Sequence, residues 1–231
     1  MSDELAPAFD LDDDTALWSA EPGDRAGRPL LVLLHGYGAD ERDLFGLVPH
    51  LPPAFVVAAV RAPLTPPWPS PGYSWYPIEG LQGRDPGAVT SAAEALLRWL
   101  DAATAPATSV GLLGFSQGAA VALQALRLDH ERFAFAVNLS GYVAPGALPG
   151  DTALAARRPP VFWGRGSRDD VIPAALVEHT STWLPDHVDL SGRLYPGLTH
   201  SVSEDELGDV RVFLDKRLAA PEQAGGGAEA E

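Results

Sequence analysis

The sequence predicts an α/β protein with a mostly parallel central sheet and helices on both of its faces. Short apolar runs alternate along the chain with segments of helical periodicity, which is the order of elements in parallel-sheet proteins. The chain has 231 residues, 46% hydrophobic and 20% charged, so it can bury a substantial core. We expect one domain over residues 15–218, an acidic, flexible segment over 1–14 and a disordered tail over 219–231.

The expected strands are short runs that are apolar at nearly every position. Such runs are typical of strands that are buried on both faces of a sheet. Five of them occur, at residues 30–34, 55–60, 110–113, 133–139 and 161–163. A sixth segment, residues 188–195, alternates more between polar and apolar positions, so we expect it nearer the edge of the sheet.

Capping residues mark three of the expected helices. Ser91 and Glu94 form a capping-box pattern within a segment whose apolar residues share one face. Pro173 suits the first turn of a second helix. Ser203 with Glu206 opens a third, which is the last helix of the chain.

The stretch GFSQG places Ser116 between a predicted strand and a predicted helix. It matches Gly-x-Ser-x-Gly, in which the serine occupies a strained turn at the carboxyl end of a strand. Gly114 and Gly118 give that turn the room it needs, because larger side chains would collide with the strand and the helix. Ser116 is therefore our candidate nucleophile.

A serine nucleophile requires a base and a carboxylate that orients the base. In this architecture both follow the serine in the chain, each just beyond a strand end. His200 lies in the loop between the last strand and the final helix and is the candidate base. Asp169 and Asp170 both follow the strand at 161–163, and the residues alone do not separate them.

The expected oxyanion hole combines two backbone N–H groups. One belongs to Gln117, the residue after the nucleophile, and the other to Tyr37, in the loop after the strand at 30–34. His35 precedes that loop. We interpret it as a brace for the loop through hydrogen bonds rather than as a second base.

Five blocks of the sequence resemble a known family. They are LLHGYGADERDL, PGYSWYPIEG, GFSQGAAVAL, GSRDDVIP and YPGLTHSVSEDEL, in that order, and the resemblance covers roughly residues 29–218. They are similar to the small alpha/beta-hydrolases that include bacterial carboxylesterases, lysophospholipases and acyl-protein thioesterases. The resemblance implies a single-domain alpha/beta-hydrolase fold. It also favours Asp169 over Asp170, because family members carry Val/Ile-Pro with the proline four residues after the catalytic aspartate. It assigns the base to His200 and the oxyanion donors to Tyr37 and Gln117.

The aromatic and proline-rich loop over residues 62–80 is the expected wall of a substrate pocket. Its aromatic side chains offer apolar surface, and residues after the strand at 133–139 are expected to line the opposite wall. Packing of these aromatic side chains on their own scaffold is the alternative. The predicted substrate-binding residues are Trp68, Tyr73, Trp75, Tyr76, Tyr142 and Val143.

These features predict a serine hydrolase that cleaves carboxylic esters, and also thioesters or lysophospholipids, through an acyl-enzyme intermediate. An acyltransferase with the same triad, or a non-catalytic ligand-binding protein of the same fold, is the alternative. The expected partner is a small-molecule ester, and we expect no cofactor and no metal. The absence of cysteine excludes a thiol nucleophile.

Charge and hydropathy indicate whether the chain binds nucleic acid or inserts into a membrane. The net charge of −15 argues against nucleic acid as a partner. No apolar run approaches the roughly 18 residues that a membrane span requires, so we expect no stable membrane insertion. The acidic N-terminal segment lacks the pattern of a signal peptide, and we expect a cytoplasmic location. A homodimer is compatible with the sequence.

Overall fold

A seven-stranded sheet forms the centre of the computed structural model, which describes residues 10–78, 84–103 and 105–219. The strand order is β1-β3-β2-β4-β5-β6-β7. All neighbouring strands are parallel except β1, which runs antiparallel to β3. The strands are β1 (Leu17–Trp18), β2 (Leu30–Leu34), β3 (Val56–Val60), β4 (Val110–Phe115), β5 (Phe133–Leu139), β6 (Pro160–Gly166) and β7 (Asp189–Tyr195).

Six α-helices alternate with these strands in the described part of the chain. They are α1 (Glu41–Phe45), α2 (Pro86–Ala103), α3 (Gln117–Leu128), α4 (Asp151–Arg157), α5 (Ala174–His187) and α6 (Glu204–Ala219). Together with the parallel sheet, they confirm the predicted α/β class.

The capping prediction holds for α6 and fails for α2. The Ser203 Oγ accepts the Glu206 N–H at 3.2 Å, as a capping residue does. In α2 the capping carboxylate belongs to Asp85, whose Oδ1 accepts the Gly87 N–H at 3.0 Å. Ser91 lies inside α2 and donates to the Gly87 carbonyl at 3.2 Å, because a serine within a helix can bond the preceding turn.

Helices cover both faces of the sheet. Alternate residues of β2 belong to two separate apolar clusters, with Val32 in one and Leu33 in the other. The cluster around Val32 includes side chains of α2 and α3, and the cluster around Leu33 includes side chains of α1 and α6. Within the residues that the structure describes, no helix is both long and apolar enough to cross a bilayer.

The two edges of the sheet differ in how well the sequence predicts them. Among the strands that the structure describes, β7 pairs only with β6, and it is largely exposed, which confirms the edge position expected from its alternating pattern. β1 was not expected, since a strand of two residues is too short to show a period. At the end of the predicted flexible segment, Asp13–Thr15 form a 3-10 turn that the Asp12 side chain caps. The expectations for residues 1–9 and 220–231 lie outside the described residues.

Candidate active site

Ser116 lies at the junction of β4 and α3 in an unusual backbone conformation. Its φ is 54° and its ψ is −114°, a region that costs a residue with a side chain about 1–3 kcal/mol. The Ser116 N–H donates to the Leu139 carbonyl at 2.8 Å, which fixes the turn to the end of β5. This is the sharp strand-to-helix turn that the Gly-x-Ser-x-Gly pattern predicts.

The two glycines that flank Ser116 allow α3 to approach the sheet. A Cβ on Gly114 would lie 2.4 Å from the Ala119 nitrogen, and a Cβ on Gly118 would lie 2.1 Å from the Leu34 carbonyl oxygen. Both distances are far below van der Waals contact, and both neighbours are backbone atoms that cannot rotate away. The spacing of these glycines is therefore a packing requirement of the turn.

Replacing Gly118 with alanine is expected to lower the free energy of unfolding by about 3 kcal/mol, because the new methyl group would overlap the end of β2. Gly208→Ala is the matched control, since a Cβ there meets no atom within 4 Å. That change in the middle of α6 should raise the free energy by about 0.5–1 kcal/mol. Urea unfolding measures both, and equal effects would refute the close-packing explanation.

The structure brings Ser116, His200 and Asp169 into a hydrogen-bonded row. The His200 Nε2 lies 2.8 Å from the Ser116 Oγ. On the other side of the ring, the His200 Nδ1 lies 2.9 Å from the Asp169 Oδ2. A carboxylate can only accept hydrogen bonds, so the ring proton of His200 is assigned to Nδ1. The lone pair on Nε2 is then free to accept a hydrogen bond from the serine hydroxyl. The row can therefore withdraw a proton from Ser116.

The two candidate aspartates, between which the residues alone did not choose, lie in different surroundings. The Asp169 side chain is fully buried and reaches the imidazole, whereas Asp170 is exposed. The second oxygen of Asp169 accepts the N–H groups of Val171 and Ile172 at 3.1 and 3.4 Å. Burial raises the pKa of Asp169, but the hydrogen bond from His200 and these N–H groups outweigh it, so the pKa lies below its usual value.

The loops that carry Asp169 and His200 are bonded to each other. The Ser167 N–H donates to the Tyr195 carbonyl at 3.0 Å, and the Arg168 N–H donates to the Leu198 carbonyl at 2.9 Å. β6 and β7 lead into these loops as neighbouring parallel strands. The aspartate and the imidazole are therefore held by one bonded unit at the carboxyl end of the sheet.

The loop that carries Tyr37 lies against Ser116. An ideal Cβ on Gly36 would be 3.6 Å from the Ser116 Cβ, so Gly36, which precedes Tyr37, adjoins the serine. Gly38 has a φ of +81°, which a glycine adopts without strain. Gln117 is the first residue of α3, and an N–H group at that position has no acceptor within its own helix. Gly36 and Gln117 thus adjoin the serine, and the roles of the Tyr37 and Gln117 N–H groups as oxyanion donors stay predictions.

His35 is bonded as the predicted brace. Its Nε2 accepts the Ala62 N–H at 3.1 Å, so its Nδ1 carries the proton and donates to the Gly36 carbonyl at 2.7 Å. The His35 carbonyl also accepts the indole N–H of Trp75 at 2.8 Å. Burial lowers the pKa of His35, which keeps the ring neutral. All of these bonds support the loop and none leads to Ser116.

Four of the predicted pocket residues are core residues instead. Trp75, Tyr76, Tyr142 and Val143 are at most 1% exposed, so they offer no accessible wall to a substrate in this structure. Two of these residues are held by hydrogen bonds from the Gln117 side chain, which sequence patterns did not reveal. Its Oε1 accepts the Trp75 N–H at 2.8 Å and its Nε2 donates to the Tyr76 carbonyl at 2.6 Å. The two tyrosine hydroxyls lie 2.6 Å apart, so one donates a hydrogen bond to the other.

The other two predicted pocket residues remain at least partly accessible. Trp68 is 92% exposed, and Tyr73 is half-buried beside the loop that carries Tyr37. Their contact with a substrate stays a prediction. Among the described residues, no group of three or more His, Asp and Glu side chains is arranged to hold a metal ion.

Comparison with known proteins identifies the family. Residues 18–218 match the family described as phospholipase/carboxylesterase. The chain belongs to the phospholipase/carboxylesterase family. The crystal structure of esterase PE8 is 32% identical and superposes with a TM-score of 0.65, covering 83% of this chain and 93% of that one. The Bacillus cereus carboxylesterase, at 19% identity, shares the fold with a TM-score of 0.73 and covers 87% of this chain and 93% of its own. The predicted alpha/beta-hydrolase fold is thereby confirmed.

Two proteins that are similar to part of this chain are named acyl-protein thioesterase 1. The Debaryomyces hansenii protein is 34% identical over 116 residues, which are 49% of this chain and 50% of that protein. The Saccharomyces cerevisiae protein is 32% identical over 111 residues, which are 46% of this chain and 49% of that protein. The chain thus spans about half the length of the curated relatives that it matches.

Proposed function

We propose that this member of the phospholipase/carboxylesterase family hydrolyses carboxylic esters through an acyl-enzyme formed on Ser116. The observation that carries the proposal is the 2.8 Å contact between the Ser116 Oγ and the His200 Nε2, with Asp169 on the far nitrogen. Family membership supports the same reaction class. Since two relatives are named acyl-protein thioesterases, thioesters belong with small carboxylic esters among the proposed substrates, and lysophospholipids are a further class.

Acylation requires a proton to leave the serine as its oxygen attacks the carbonyl carbon. His200 accepts that proton on Nε2, and Asp169 stabilises the resulting imidazolium through Nδ1. The carbonyl oxygen becomes an oxyanion, which the N–H groups of Tyr37 and Gln117 stabilise by about 3 kcal/mol each. The bond between the acyl carbon and the leaving oxygen or sulfur then breaks, and His200 gives its proton to the leaving alkoxide or thiolate.

Deacylation repeats the same proton transfers with water as the nucleophile. His200 removes a proton from the water as its oxygen attacks the acyl carbon, and then protonates the Ser116 oxygen as the carboxylic acid leaves. An acyltransferase would differ only in the acceptor that replaces water. A cytoplasmic location and a homodimer stay predictions from the sequence.

A fluorophosphonate probe tests the proposal, because it reacts covalently only with an activated serine. We expect one equivalent of label on Ser116, and none in the Ser116→Ala variant. Ser140→Ala is the matched control, since Ser140 also follows a strand and has a φ of 51° but carries no imidazole partner in the described structure. A folded wild-type protein that stays unlabelled would favour a non-catalytic binding protein.

Product analysis separates hydrolase from acyltransferase. With p-nitrophenyl acetate and a small alcohol present, we expect acetate as the main product. A predominance of the acetyl ester of the alcohol would assign transfer instead.

A further inference from the structure

A partly buried ion pair joins the start of the helix that follows the loop carrying Tyr37 to the segment after β3. Glu41 is the first residue of α1, immediately after this loop, and Arg61 is the first residue after β3. The Arg61 Nε donates to the Glu41 Oε2 at 2.7 Å, and its Nη2 donates to the Glu41 Oε1 at 2.6 Å. Such a bidentate pair fixes direction as well as distance. The Glu41 side chain is 1% exposed and the Arg61 side chain 24%, so water competes little for the pair.

Glu41 has a second cationic neighbour, but a weaker one. The Arg42 Nη1 lies 3.3 Å from the Glu41 Oε1, and the Arg42 side chain is 69% exposed. Solvent screening leaves little strength in an exposed contact of this kind. The hydrogen bonds from Arg61 are the chief reason that the pKa of Glu41 lies below its usual value, despite burial of the carboxylate.

Arg61 also packs on a residue that is paired with the same loop. Its guanidinium lies 4.7 Å from the centre of the Tyr73 ring. The Gly38 N–H donates to the Tyr73 carbonyl, and the Tyr73 N–H donates to the Ala39 carbonyl, each at 2.8 Å. The Arg61 side chain therefore contacts both Glu41, which follows the loop, and Tyr73, which pairs with the loop.

We propose that Arg61 is a positioning residue, which through Glu41 and Tyr73 holds the loop over residues 36–40 and its Tyr37 N–H group beside Ser116. The inference rests on the function proposed above. Gly36 and Gly38 make this stretch of backbone easy to deform, so its geometry depends on outside contacts. An oxyanion donor is effective only within about 2.7–3.1 Å of the developing charge. Loosening the loop should therefore weaken the transition state more than substrate binding.

The Arg61→Lys variant tests this role, because lysine keeps the charge but loses both the bidentate geometry and the planar stacking. With p-nitrophenyl acetate we expect kcat to fall about 10-fold while KM changes by less than about twofold. A trifluoromethyl ketone forms a tetrahedral adduct with an activated serine, and its oxyanion needs the same N–H donors. Its inhibition constant should rise by the same factor of about 10. Glu41→Gln is the second variant and should give the same pattern.

Arg132→Lys is the matched control. Arg132 pairs with Asp101 at 2.6 Å, its side chain is also 24% exposed, and it lies before the amino end of β5, away from Ser116. We expect wild-type kcat and inhibition constant for this variant. The inference is overturned if Arg61→Lys keeps the wild-type kcat, or if kcat and thermal stability fall while the inhibition constant is unchanged. A labelled, active wild type with an unaffected Arg61→Lys variant overturns this inference alone, whereas an unlabelled, inactive wild type overturns the proposed function as well.

Discussion

Replacing Asp169 with asparagine is expected to lower kcat for ester hydrolysis about 10⁴-fold. In the wild type, the Asp169 Oδ2 lies 2.9 Å from the His200 Nδ1 and keeps the ring proton there. An asparagine amide at this place would present its own N–H to the ring and favour the tautomer with the proton on Nε2. That nitrogen could then no longer accept the proton of Ser116. Steady-state kinetics with p-nitrophenyl acetate measure the loss.

The neighbouring residue supplies the control for this prediction. Asp170→Asn makes the same chemical change one position along the chain, on an exposed side chain. We expect its kcat to stay within about twofold of wild type, since surface changes of this kind usually have small effects. Thermal unfolding should show both variants folded. Equal losses in the two variants would contradict the assignment of Asp169 as the residue that orients His200.

The second large effect concerns stability as a function of pH. Glu206 is fully buried, and neither of its carboxylate oxygens has a hydrogen-bond partner among the described residues. Burial raises the pKa of Glu206 from 4.5 to about 7. Between these values the unfolded chain has already released the proton that the folded protein still holds. The free energy of unfolding should therefore fall by about 3 kcal/mol as pH rises from 4.5 to 7, and the contribution of Glu206 then levels off.

Other carboxylates titrate over the same range, so the prediction applies to the difference between variants. The difference in free energy of unfolding between wild type and Glu206→Gln should change across pH 4.5 to 7, because glutamine cannot ionise. Glu204→Gln changes an exposed carboxylate two residues earlier and should follow the wild type. Urea unfolding at a series of pH values measures all three proteins. Parallel curves for wild type and Glu206→Gln would show that the buried carboxyl does not titrate there.

Much of the fold could be predicted because its signals are local. Strands buried on both faces are continuous apolar runs, and the observed β2 and β5 match the expected bounds residue for residue. The start of α2 was read incorrectly, because a Ser-x-x-Glu pattern inside a helix resembles one at its beginning. Asp85 is the observed cap, and a local signal for it was present, since aspartate followed by proline suits the cap and the first position of a helix.

The candidate site was predictable to the extent that its parts are tied to strand ends. Ser116 and His200 each follow a strand, and parallel strands bring their carboxyl ends to one edge. Glu41 and Arg61 were missed, since a charged residue after a strand or at the start of a helix is usually exposed. A signal was nevertheless present: both lie in the connections that leave the carboxyl ends of the neighbouring strands β2 and β3, where opposite charges can meet.

The sequence by itself determined the α/β class, the strained turn at Ser116 and the place of the imidazole. Each of these depends on residues close together in the chain. Tertiary structure alone decided which aspartate meets His200, since that depends on the direction of two adjacent side chains relative to a loop about 30 residues away. It also decided that Trp75 and Tyr76 are buried, because the Gln117 side chain that bonds them comes from a distant helix. Local patterns carry no information about such contacts, which form only when remote segments pack together.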